Sequence, residues 1–275
     1  MPDYLISQQL SDGANIIYSA GDGPLDLLSF SIVKLGAAGS YSGNTEDEEC
    51  GLVVLSGLLS LQIGDDQYGE LGGRTSVFAG KATGVYLPPG TAWRVQADSR
   101  CELAVCSTPS DSSGPPQIIG PNEVAVNQVG NWNWRRQVHS IIGANVPQAQ
   151  RLLVGETFNP PGNWSSYPPH KHEKDDYPFQ VNMQEIYHFR INPPQGFGLQ
   201  RIYTDDRNID KTYTLQHLDS TLMPRGYHPV VVAPGYELYY LWMMAGATER
   251  RMSPEDDPNH AWVKAAGAMA KDMRF

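Results

Sequence analysis

His170 and His172 lie two residues apart within the stretch WSSYPPHKHEKDDYPFQVNMQE, residues 164–185. On an extended segment, residues two apart point to the same side. Neutral imidazoles are common ligands for zinc, iron, manganese and nickel. Pro168 and Pro169 stiffen the approach and disfavour helix there. Glu185 heads the β-prone run EIYHFRI, where a buried carboxylate needs a partner. His228 follows the turn Pro224-Arg-Gly226 and precedes the apolar run Pro229-Val-Val-Val-Ala233. Three histidines and one carboxylate, brought together from several strands, would make one mononuclear site for a divalent ion. A bare His-x-His pair is weak evidence, since surface histidine pairs are common. The proline-stiffened approach, the strand behind Glu185 and the turn before His228 favour a site.

The elements that must position these residues read as strands. The chain has 275 residues, enough for one large domain or two of ordinary size. Its 40% hydrophobic and 18% charged content fits a globular protein rather than a disordered one. With 27 glycines and 21 prolines, turns are frequent and long helices few. The net charge of −10 disfavours nucleic acid as a partner. An anionic substrate would need a local positive feature, a metal or an arginine, to enter against that field. Cys50, Cys101 and Cys106 form no paired framework, which suggests a reducing compartment, and they read as small apolar fillers. No signal peptide and no apolar run near ~20 residues is visible, so no membrane partner is expected and the cytoplasm is the default.

Short strands spaced 8–12 residues apart, punctuated by Gly, Asp and Pro, predict an all-β sandwich or barrel. Leu28–Leu35, Gly51–Leu55, Leu58–Ile63, Trp93–Ala97 and Cys101–Cys106 belong to this set. The Ser/Pro/Gly-rich run Ser107–Pro116 reads as the linker between two halves. After it, residues 118–129 and 135–142 read as connecting strands packed between the halves. The tail after Met252 is Pro-rich and ends in a short helix beginning near Trp262. A modest internal repeat supports two sandwiches. Pro88-Pro-Gly90 before Trp93 matches Pro224-Arg-Gly226 before His228, and Glu49 before its strand matches Glu185. All seven histidines lie at or beyond His139, so the second half alone can hold the ion. This gives a first domain over 1–115 without metal ligands and a second over 116–275 with them.

Several motifs taken together resemble a known group. They are Arg136-Gln-Val-His139, Leu152-Leu-Val-Gly-Glu156, Pro161-Gly-Asn-Trp-Ser-Ser-Tyr-Pro-Pro-His-Lys-His172, Glu185-Ile-Tyr187 and Gly226–Trp242. In the first half, Leu55-Ser-Gly57, Gly72-Gly-Arg74 and Tyr86-Leu-Pro-Pro-Gly90 also fit. The chain resembles the two-domain cupins (bicupins), jelly-roll sandwiches in pairs. Within them it is similar to the 5-deoxy-glucuronate isomerases of myo-inositol catabolism. Two departures stand out. The acidic ligand of a generic cupin motif follows the second histidine more closely than Glu185 follows His172. His228 also falls one place early after its glycine. Glu173 and Asp176 are therefore rivals for the acidic ligand, although both sit in what reads as a polar loop.

The resemblance implies an aldose–ketose isomerisation, 5-deoxy-D-glucuronate to 5-dehydro-2-deoxy-D-gluconate, through an enediol and with one divalent ion (Zn, Mn, Fe or Ni). It implies His170, His172, Glu185 and His228 as ligands. If Glu185 points inward, Tyr187 and Phe189 do too, while His188 and Arg190 face away. Tyr187 is then a candidate for substrate contact or proton relay, and equally a core aromatic. Glu156 is a candidate for proton transfer, or else an ion pair on its strand. A substrate carboxylate calls for an arginine clamp, Arg136 or Arg201, with Tyr167 and Tyr227 as further contacts. His139 reads as a core histidine.

The ligand set alone would equally suit oxygen chemistry on iron. The related 4-deoxy-5-keto-uronate isomerases of pectin breakdown are the nearest enzymatic alternative. A non-catalytic sugar-binding bicupin is the alternative of another class, against which the intact histidines count. A small anionic sugar acid is the expected partner, and a homo-oligomer remains open.

Overall fold

Runs such as Leu58–Ile63 alternate half-buried and buried residues, the period of a strand with one face on a core. Glu48–Ser56 and Gln184–Asn192 are instead buried almost throughout, as central strands covered on both faces are. The computed structural model, which describes residues 3–272, assembles these strands into two antiparallel sandwiches.

In the N-terminal half a six-stranded sheet runs Gln117–Ile119, Thr83–Leu87, Glu48–Ser56, Cys101–Pro109, Ser29–Leu35, Gly13–Tyr18. It packs on a four-stranded sheet ordered Ser40–Asn44, Ala92–Ala97, Leu58–Ile63, Asp66–Gly72. In the C-terminal half a seven-stranded sheet runs Leu5–Ile6, Ser220–Met223, Gln184–Asn192, Glu237–Ala245, Leu152–Asn159, Arg136–Ile142, Ala125–Val129. Its four-stranded partner is ordered Trp164–Ser165, Val230–Val232, Gly198–Tyr203, Asp210–Leu215. A two-residue ribbon joins His170–Lys171 to Glu255–Asp256, and the helix Trp262–Asp272 closes the described chain.

Two details differ from the sequence reading. The proposed linker begins inside a strand: Cys101–Pro109 continues through Thr108, which is fully buried and pairs with Glu49. The halves also trade edge strands. Leu5–Ile6 extends the C-terminal sheet, and Gln117–Ile119 extends the N-terminal one. Residues 125–129 and 136–142 join the seven-stranded sheet outright.

One core fills the N-terminal sandwich, with Leu52, Leu59, Leu61, Trp93 and Val95 at its centre. A second core lies largely between the two large sheets, which pack back to back. Phe30, Ile32, Val53 and Leu55 belong to it, as do Ile142, Leu152, Ile186 and Leu241. The approach is close enough to demand glycine. A Cβ on Gly51 would fall 2.7 Å from Ile142 Cδ1, and one on Gly84 would fall 2.3 Å from Ile141 Cγ2. Polar links cross the same seam. Arg74 donates to both carboxylate oxygens of Glu156 at 3.2 and 2.6 Å, and Tyr239 donates to one of them at 2.9 Å. Glu49 accepts the backbone N–H groups of Gln150, Arg151 and Leu152 and the Tyr86 hydroxyl. Cys50, Cys101 and Cys106 are buried free thiols.

Candidate metal centre

The inner face of the C-terminal sandwich carries the polar residues that the N-terminal interior lacks. Gln184–Asn192 alternates, so Glu185, Tyr187 and Phe189 face inward. The outward residues meet the other half: the His188 ring lies tilted against Phe30, centroids 5.5 Å apart, and Arg190 pairs with Glu102 at 3.0 Å. The ribbon supplies His170, with His172 just beyond it, and the turn before Val230–Val232 supplies His228. Ligand atoms of His172, Glu185 and His228 lie within 4.8 Å of one another, all buried. The His170 ring stands 5.0 Å from that of His228 and 6.5 Å from that of His172.

The donor set fits a divalent ion. His172 Nδ1 lies 2.6 Å from the Met183 carbonyl, and His228 Nδ1 lies 2.9 Å from that of Gly226. A carbonyl only accepts, so each Nδ1 carries the proton and each Nε2 presents a lone pair. Those lone pairs meet a carboxylate: Glu185 Oε2 is 3.1 Å from His172 Nε2 and 3.3 Å from His228 Nε2. His228 Nε2 is fully buried and has no hydrogen-bond partner. Three acceptors converging without a donor need a positive charge between them. Burial alone would raise the Glu185 carboxyl; positive charge on the side of the imidazoles, which the cluster demands, holds it down instead. Burial, then His228 and His172, hold His170 well below its ordinary value, so it stays neutral and ready to ligate. The rivals are elsewhere. Glu173 pairs with Lys171 at 3.1 Å, and Asp176 is exposed in a turn closed on Gln180.

The cluster opens into a cavity of about 420 Å³. Arg136, Tyr167, His170, His172, Glu185 and Tyr187 all line it. Arg136 is buried and donates through Nη1 to the carbonyls of Trp134 and Tyr167, both at 3.1 Å. Among the described residues no carboxylate pairs with it. Tyr187 shares a hydrogen bond of 3.0 Å with Ser166, and its ring lies 4.4 Å from that of Tyr240. Tyr240 is in turn bonded to Ser165.

His228 completes the cluster from behind the cavity wall, and three expected site residues lie away from both cluster and cavity. Glu156 points to the seam between the halves, where Arg74 and Tyr239 saturate it; strand parity puts its neighbour Thr157 on the cavity side instead. Arg201 is on the outer surface, 42% exposed, and forms a two-point pair with Asp210. Tyr227 is buried behind the ribbon, with its hydroxyl on Asp205 at 2.9 Å and Lys171 over its ring. Conversely, Ser166, Tyr240, Asp256 and Lys264 line the cavity without having been singled out. Tyr240 was within reach, since Tyr240, Trp242 and Met244 alternate on one face of the last long strand. Asp256 and Lys264 carry no local signal.

Two antiparallel sandwiches in one chain, the second enclosing three histidines and a glutamate, define a bicupin with a metal-ready centre. The oxalate decarboxylase of Lactobacillus farciminis, solved as a formate complex, shares this fold with a TM-score of 0.68 at 12% identity, over 99% of this chain and 93% of that one. The chain belongs to the KduI/IolB family, whose profile matches residues 4–263. It is 40% identical over 247 residues to the 5-deoxy-glucuronate isomerase of Geobacillus kaustophilus, covering 90% of this chain and 89% of the relative. The crystal structure of an IolB-like protein from Salmonella typhimurium superposes with a TM-score of 0.91 at 36% identity, covering 96% of this chain and 100% of that one.

Proposed function

We propose that this chain is a 5-deoxy-glucuronate isomerase, converting 5-deoxy-D-glucuronate to 5-dehydro-2-deoxy-D-gluconate, with a divalent ion held by His170, His172, Glu185 and His228. The observation that carries the proposal is the pairing, in one cavity, of the histidine–glutamate cluster with a buried arginine that has no carboxylate of its own. Relatives named as this isomerase support the choice of substrate.

A divalent ion held by His170, His172, Glu185 and His228 would supply Lewis-acid polarisation and charge stabilisation. The rest falls to the protein. Arg136 receives the substrate carboxylate, a planar donor for a planar anion. Tyr187 and Tyr240, oriented by Ser166 and Ser165, donate to substrate oxygens. Trp134, Trp242 and Met244 line the remaining wall and exclude water from the intermediate. Unpaired, buried cysteines suit a cytoplasmic setting.

The test compares as-purified protein, chelated protein and His170→Ala on 5-deoxy-glucuronate, with 4-deoxy-5-keto-uronate as the competing substrate. Activity on the first that is lost in both treatments, and returned to chelated wild type by a divalent ion, is the expected result. Activity that survives both treatments removes the ion from the reaction. Turnover of the second substrate alone reassigns the enzyme. Arg136→Met is expected to raise KM by about 10–100-fold with kcat largely kept, the signature of a lost charge-assisted contact.

A further inference from the structure

With His170, His172, Glu185 and His228 committed as ligands, one other carboxylate lines the cavity among the described residues: Asp256. The two-residue ribbon seats it. Asp256 pairs directly with His170, and Glu255 with Lys171. Directly opposed residues of an antiparallel pair share a face, with Cβ atoms about 4.5–5.5 Å apart. The second pair confirms the parity, since both of its members turn away. Lys171 is bonded to Asp205 and Glu173, and Glu255 accepts from Gln180. Asp256 therefore stands on the His170 side, half-buried, and Lys264 of the C-terminal helix forms an ion pair with it.

Isomerisation needs a base for the hydrogen on C2, and that base must reach the space the cluster faces, as Asp256 does from its place opposite His170. The tyrosine hydroxyls face the same space, but a phenol must first lose its own proton, which burial of Tyr187 and Tyr240 opposes, whereas a carboxylate oxygen accepts directly.

Building on the isomerase function proposed above, we propose that Asp256 is the base that carries the proton between C2 and C1, and that Lys264 positions it. Asp256 takes the C2 hydrogen as a proton. The C2–H electron pair becomes the second bond between C1 and C2, and the carbonyl pair withdraws onto O1. In the return step that second bond takes the proton from Asp256 at C1. The O2–H pair forms the new C2 carbonyl, and the O2 proton passes to O1. Substrate and product are isomers, so no oxidant or reductant is consumed.

The experiment uses full-length, metal-loaded protein and 5-deoxy-glucuronate deuterated at C2. NMR follows deuterium lost to solvent or moved to C1, alongside bound metal and substrate affinity by calorimetry. Asp256→Asn is expected to lose turnover and both fates of the deuterium together, by about 10²–10⁴-fold, with metal content and affinity kept. Asp256→Glu is expected to recover at least about tenfold of that loss, and Lys264→Met to lower kcat with little change in KM. If Asp256→Asn still moves deuterium within about tenfold of wild type, or if it loses the metal, Asp256 is not the base. If metal-loaded wild type neither turns over the substrate nor moves its deuterium, the isomerase function fails first and the base assignment with it.

Discussion

Glu49 and Glu185 hold the same place in the two halves: each is the second residue of a nine-residue central strand. They face opposite ways. Cys50, Leu52 and Val54 turn into the N-terminal sandwich, which leaves Glu49 on the seam, capping three backbone N–H groups of the other half. In the C-terminal strand Glu185 itself turns inward, with Tyr187 and Phe189 behind it. The four-stranded sheets agree further, for both place their strands in chain order first, fourth, second, third. Both fourth strands follow a Pro-x-Gly turn whose glycine has positive φ, Gly90 at 73° and Gly226 at 93°. One turn delivers Trp93 to an apolar core, the other His228 to a polar one. A side-chain period of two means that one residue of register decides whether the same acid staples the halves or faces a cavity.

That contrast can be broken at graded cost. Glu185→Gln is expected to have the largest effect. It removes the anion that three histidines surround, so bound metal and turnover should both fall to background while circular dichroism stays that of a folded sandwich. Glu156→Gln comes next, because it leaves the buried Arg74 guanidinium uncompensated. A destabilisation of about 3–5 kcal/mol is expected in denaturant unfolding, largely recovered in Arg74→Met/Glu156→Leu, where neither charge remains. Glu49→Gln should cost about 1.5–3 kcal/mol, the worth of hydrogen bonds to a buried charge, without loss of metal. If it empties the metal site instead, the two glutamates are not separable in role. Arg201→Ala should be the smallest: its exposed pair with Asp210 is worth at most about 1 kcal/mol, and KM should stay within about twofold of wild type.

The cluster was legible from sequence because its evidence is local. His170 and His172 declare themselves by type and spacing, and parity from Glu185 places Tyr187 and discounts His188. The all-β architecture was legible for the same reason, through period-two runs bounded by Gly and Pro. What escaped depends on partners that strand pairing, not local spacing, brings together. Glu156 looks like a free carboxylate until Arg74, 82 residues earlier, is found against it. Arg201 reads as a clamp until Asp210 takes it from across the neighbouring strand. Asp256 lies in a Pro-rich tail with no periodicity, and only its ladder with His170 brings it to the cavity. The end of the first half was blurred by composition: Ser107, Thr108 and Pro109 look like linker residues yet complete a central strand.

The traded edge strands bear on how this protein is made. Leu5 and Ile6 find their partners at Thr221 and Ser220, so the leading end leaves the ribosome long before its place exists. The N-terminal sandwich has every strand of its own two sheets by Ile119, while its seam face waits for the second half to cover it. It must then wait with its first residues unclaimed. The histidine-bearing half cannot finish until its central strand Glu237–Ala245 and the ribbon partner Glu255–Asp256 emerge, so vectorial translation offers the scaffold its strands before the cluster has all of its own.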